Sequence, residues 1–75
     1  MADLMVDARN ALCPVPILRA AAALRDAEEG TSVELVTTDA LASVDVPAWV
    51  GDMGYDLKET FETGDGSDHF VIIKT

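Results

Sequence analysis

Cys13 is the only cysteine in the chain, and it stands in the run Cys13-Pro14-Val15-Pro16. The residue before a proline is pushed out of helical geometry, which sets Cys13 at the N-cap of a helix that Pro14 opens. There the sulfur faces unpaired backbone N–H groups. Helix N-termini and nearby cations lower a thiol pKa from about 8.5 to roughly 3.5–7.5, and Arg9 lies just upstream. The arrangement predicts a reactive thiolate. Pro16 removes a second N–H and stiffens the first turn, which helps to hold the thiol outside the packed helix. Cysteine is also a small hydrophobe, so a purely packing role stands as the alternative.

Thiol exchange proceeds by thiolate attack on a sulfur–sulfur bond, and a second cysteine nearby could resolve such a bond internally. This chain has one cysteine. One cysteine and one histidine cannot supply the roughly four ligands of a structural zinc site, and Asp65-Gly66 lacks the spaced carboxylates of a calcium loop. No metal and no cofactor are expected. His69 reads as a surface or edge residue of the last strand rather than a catalytic base. Asp39 reads as a helix cap, and Asp45 precedes Pro47 where it could cap a helix or touch a partner. Trp49 sits with Val46 and Met53 on an apolar helix face, which favours core packing over stacking on a ligand.

These residues need elements to position them. Leu4, Val6 and Ala8 alternate with Asp3, Met5 and Asp7, the two-residue period of a half-buried strand. Asn10, in the connection that follows, tolerates the left-handed conformation of tight turns. Ile17, Ala21 and Leu24 recur at helical spacing from Pro14 as far as Gly30, and Ser32 to Thr38 is a β-branched second strand. Ala42, Val46, Trp49, Val50 and Met53 follow helical spacing. Pro47 cannot lie in a helix interior without losing a hydrogen bond, so two pieces are expected: a turn from Ala40, then a helix with Pro47 in its first turn. Tyr55, Leu57 and Phe61 on one face alternate with Asp56, Lys58, Thr60 and Glu62. After the turn Thr63 to Ser67, Phe70 and Ile72 alternate with His69, Val71 and Ile73, closing a hairpin. The order βαβαββ implies an α/β two-layer sandwich, a four-stranded mixed sheet with both helices on one face, spanning residues 1–75 as a single domain.

Seventy-five residues bury only about 60% of their unfolded surface, so little core can be diverted to a deep pocket and any chemistry must be nearly superficial. Five basic against 14 acidic residues leave a net charge of -9, which gives no electrostatic reason to bind nucleic acid or anionic lipid. No apolar run approaches the roughly 18 residues of a membrane span. Met1-Ala2-Asp3 does not have the form of a secretion signal, so a cytoplasmic location is expected.

The run Asp7-Ala8-Arg9-Asn10-Ala11-Leu12-Cys13-Pro14-Val15-Pro16 resembles the signature of the TusA/SirA-like sulfur carrier family, Asp-x-Arg-Gly-Leu-x-Cys-Pro-x-Pro after the first strand. The Ile17-Leu18 helix start, Thr38-Asp39, Asp45-Val46-Pro47, Trp49, Gly54 and the closing hairpin follow in family order. Asn10, Ala11, Leu12 and Ala40 depart from the usual residues, and none of these changes removes the thiol. The resemblance implies that Cys13 accepts sulfane sulfur as a persulfide, with Pro14, Pro16 and Arg9 in support, and passes it to a partner's cysteine. It implies a cysteine desulfurase or other sulfur donor protein on one side and a cysteine-bearing acceptor on the other, in tRNA thiolation, molybdenum cofactor assembly or sulfur oxidation. A monomer is expected. Leu12, Arg19 and Asp45 are the docking candidates. Residues 1–25 sum to +1 and residues 26–75 to -10, so Arg9 and Arg19 are expected to make the Cys13 side the least acidic and to favour partners with acidic rims. The rival reading is a non-catalytic regulatory or interaction module in which Cys13 only packs. RNA binding, by analogy with similar sandwiches, is opposed by the negative charge.

Overall fold

The computed structural model describes residues 2–75; Met1 lies outside the described residues. Six elements run in the order β1 (Leu4–Ala8), α1 (Val15–Asp26), β2 (Ser32–Thr37), α2 (Ala42–Met53), β3 (Asp56–Glu62) and β4 (Asp68–Ile73). The strands form one sheet in the order β1-β2-β4-β3. β1 runs parallel to β2, with Val6 opposite Leu35 and Ala8 opposite Thr37, while β4 is antiparallel to both β2 and β3. The parallel pair needs a crossover, and α1 supplies it.

Strand periodicity decides which side chains meet the helices. Ala8, Val33, Leu35, Phe70 and Ile72 project into one cluster with Ala20 and Leu24 of α1 and Ala42, Val46 and Val50 of α2. Four-residue spacing places Pro16, Ala20 and Leu24 on the buried stripe of α1. At the far end of α1, the Lys74 ammonium donates to the Leu24 carbonyl, meeting one of the unpaired acceptors of the helix terminus. Gly54 ends α2 at φ 77°, where its N–H reaches the Gly51 carbonyl and a side chain would be strained.

Four expectations are corrected. α2 is one continuous helix with Pro47 inside it, because Pro47 is its sixth residue and the hydrogen bond it forgoes, to the Ser43 carbonyl, lies near an exposed end where water can serve instead. Met53 is 53% exposed and sits outside the core with which it was grouped, whereas Trp49 packs against that core and meets Tyr55 edge-on at 5.9 Å. The register shifts between Leu57 and Glu59, so Leu57 opposes Ile72 toward the helices while Phe61 opposes His69 on the other face. One extra residue in a strand turns every later side chain over. The strand order puts His69 on an interior strand, stacked on Phe61 at 4.6 Å and paired through Nδ1 with Glu34 Oε2 at 2.8 Å. It is neither an edge residue nor freely exposed.

Candidate functional site

The segment between β1 and α1 is shaped by local bonds. The Asp7 carboxylate accepts the Arg9 backbone N–H and also holds the guanidinium through Nε and a terminal nitrogen at 3.0 and 2.9 Å. That fork of donors holds the Asp7 carboxyl down to about 2. Asn10 takes φ 66°, as its residue type allows, and its N–H is bound by Thr38 Oγ1. A turn follows, closed by the Val15 N–H to the Leu12 carbonyl at 2.9 Å. Cys13 occupies the corner of that turn with its side chain exposed, and the Cys13-Pro14 peptide bond is cis.

The helix cap is therefore one residue later than the sequence suggested. Pro14 is the N-cap of α1 and Cys13 precedes it, with no side chain capping the helix. The reason lies in the chain from β2. Asp39 Oδ2 accepts the Cys13 N–H at 2.7 Å, while Oδ1 of the same carboxylate accepts the Leu41 N–H at 3.1 Å. Asp39 thus ties the thiol's loop to the entrance of α2 instead of capping that helix, whose N-cap is Leu41.

From the first turn of α2, Asp45 reaches back, and its Oδ2 lies 3.2 Å from Cys13 Sγ. The thiol donates and the carboxylate accepts. The consequence reverses the expected activation: the Asp45 hydrogen bond, followed by partial desolvation and the negative charges of Asp45 and Asp39, pushes the Cys13 thiol up rather than down. A thiolate placed against two carboxylates is disfavoured by like charge.

Arg9 stands in the tight pair with Asp7, and Arg19 donates to the Asp7 carbonyl at 3.1 Å, so both cations gather around the end of β1. Together with Asn10, Thr38, Asp65 and Ser67 they line a polar hollow of 510 Å³ that Cys13 does not border. The charges that act on the thiol are Asp39 and Asp45, and the expectation of a least-acidic Cys13 side is corrected accordingly. Sequence reading singled out both aspartates but missed their bonds to Cys13. The residues lie 26 and 32 positions away; the parallel pairing of β1 with β2 brings Asp39 in from the end of β2, and α2 carries Asp45.

Leu12 is 76% exposed, and Val15 and Leu18 continue the apolar surface along α1. Leu41 and Val44, exposed at 61% and 68%, stand on the segment that carries Asp39 and Asp45. Both segments that meet at the thiol thus carry unburied aliphatic side chains. A cleft of 450 Å³ lies elsewhere, lined by Ser43, Pro47, Phe61 and Phe70 among others. Among the described residues no group of three His, Cys, Asp or Glu side chains could hold a metal ion, and no helix is long and apolar enough to cross a membrane.

Comparison with known proteins gives a consistent result. The family model described as Sulfurtransferase TusA matches residues 5–74. YrkI of Bacillus subtilis strain 168 is 38% identical over 63 residues, covering 84% of each chain. The sulfur carrier protein TusA of Allochromatium vinosum is 36% identical over 73 residues, covering 97% of this chain and 95% of its own. In three dimensions the fold is similar to the crystal structure of a SirA-like protein from Desulfitobacterium hafniense, with a TM-score of 0.83 and 27% identity over 93% of this chain and 95% of that one.

Proposed function

Because the chain belongs to the TusA family of sulfur carriers, we propose that Cys13 is the carrier residue and that it relays sulfane sulfur as a persulfide. The observation that carries this reading is a single exposed thiol at a turn corner, where two segments that carry uncovered aliphatic side chains meet. Such a surface suits a sulfur handed directly from one protein to another. The step balances without an external oxidant. Cys13 sulfur attacks the outer sulfur of a donor protein's persulfide, the donor's sulfur–sulfur bond breaks, a new one forms on Cys13, and the Cys13 proton ends on the departing donor thiolate. Delivery is the same exchange with the acceptor's cysteine as nucleophile.

A cysteine desulfurase fits the donor role and a cysteine-bearing protein the acceptor role, in a pathway such as tRNA thiolation, molybdenum cofactor assembly or sulfur oxidation. A lone thiol that must stay reduced suits the cytoplasm. The reading is tested by incubating the folded protein with a cysteine desulfurase and cysteine and recording intact mass. One added sulfur, lost on reduction and absent in Cys13→Ser, is the expected result. An unchanged mass with several desulfurases would sink the proposal.

A further inference from the structure

Asp39 and Asp45 both touch Cys13, but they do different work. Asp39 has both oxygens committed to backbone donors, the N–H groups of Cys13 and Leu41, so it fixes where the loop sits. Asp45 meets the sulfur itself through Oδ2. Among the described residues Asp45 has no Lys, Arg or His within ion-pair distance; those pairs are Arg9 with Asp7, Arg25 with Asp26, and His69 with Glu34. A thiol holds its proton far more tightly than a carboxylic acid does, so the one proton of this pair resides on sulfur and points at Oδ2.

Building on the carrier reading of Cys13, we propose that Asp45 is a positioning residue that keeps the thiol of the empty carrier protonated, so that the sulfur becomes a nucleophile only when this hydrogen bond is broken or its proton is handed on. The groups that face the sulfur are the carboxylates of Asp45 from α2 and Asp39 from the β2–α2 connection, and among the described residues no cation is found to oppose them. The direction of the Cys13 shift agrees with the geometry. The empty carrier is thereby guarded against stray electrophiles, at the cost of slower spontaneous reaction. A docked partner that draws Asp45 away, or places its own donor on Oδ2, releases the restraint at the moment of transfer.

The test reads thiol ionisation, so it is independent of sulfur loading. Rates of Cys13 alkylation by iodoacetamide are measured from pH 6 to pH 10 for the parent, Asp45→Asn and Asp45→Glu, each checked for folding by far-ultraviolet circular dichroism. The midpoint should move down in Asp45→Asn, with labelling at neutral pH several-fold faster, and should stay near the parent's in Asp45→Glu. An unchanged midpoint in Asp45→Asn overturns the proposal. Equal falls in both variants overturn it too, since any change at position 45 would then suffice. A reading that needs no variant is the ¹³C resonance of the Asp45 carboxyl in the parent protein. It should step at the pH where Cys13 ionises, and a flat trace there contradicts the pairing.

Discussion

At Cys13 the local sequence and the tertiary structure pull in opposite directions. The two prolines mark the residue, and a turn before a helix was legible from them, as was the left-handed Asn10. The sign of the thiol's shift was not legible, because it depends on Asp45, which the chain brings back from 32 residues away. A nearest-neighbour reading paired Cys13 with Arg9, whereas Arg9 is satisfied by Asp7 two residues before it. A charge held by a neighbour two residues away is not available to a more distant site. These contacts also predict the behaviour of Cys13→Ser. The thiol is exposed and its one side-chain partner is Asp45, to which a serine hydroxyl can donate equally well. The Tm should stay within about 3 °C of the parent's while loading is lost. A much larger fall by calorimetry would show that the sulfur is a packing group.

The elements were mostly visible in the periodicities, and what periodicity misses is where elements are joined. β1, β2 and β4 form where alternation placed them, and the structure adds their register, with Val6 opposite Leu35 and Leu35 opposite Phe70. Pro47 broke the expected helix in two, yet α2 runs through it, because Val46 and Val50 bury one face of both halves against the sheet. The shift near Lys58 reversed Phe61 because alternation carries no marker of an inserted residue. Asp39 is the junction with the clearest consequence. One carboxylate bridges the turn before α1 and the entrance to α2, so losing it should loosen the two segments together. Asp39→Ala removes two hydrogen bonds with a charged acceptor and should cost about 1–2 kcal/mol, a Tm fall of roughly 5–10 °C. Because the same change frees the Cys13 loop, amide exchange at Cys13 and Leu41 should quicken together in this variant. Protection lost at only one of them would show that Asp39 does not couple the segments.

For the whole molecule the governing quantity is charge, -9 from 5 basic and 14 acidic residues. Self-repulsion at that charge destabilises a small fold and is screened by salt, with a Debye length near 10 Å at 0.1 M and about 3 Å at 1 M. Acid acts in two opposed ways. From neutrality toward about pH 4 the negative charge falls and repulsion with it. Below that, specific bonds are lost. Asp7, held by Arg9, and Asp65, held by the Thr63 hydroxyl and the Ser67 N–H in the hairpin turn, have carboxyls lowered from 3.8 to about 2. A carboxyl whose folded pKa lies below its unfolded value contributes stability above the unfolded value and loses it as pH falls through the folded one. The window of that loss runs from about pH 4 down to about pH 2. At low salt, stability should therefore rise on mild acidification, peak between about pH 4 and 6, and fall steeply below the peak. In about 1 M salt the neutral limb should flatten while the acid limb persists, because a short hydrogen-bonded pair is screened far less than dispersed surface charge. Thermal melts across pH at the two salt concentrations decide it. A maximum at or above pH 7 in low salt would mean that local pairing, and not net charge, sets the neutral-side stability of this fold.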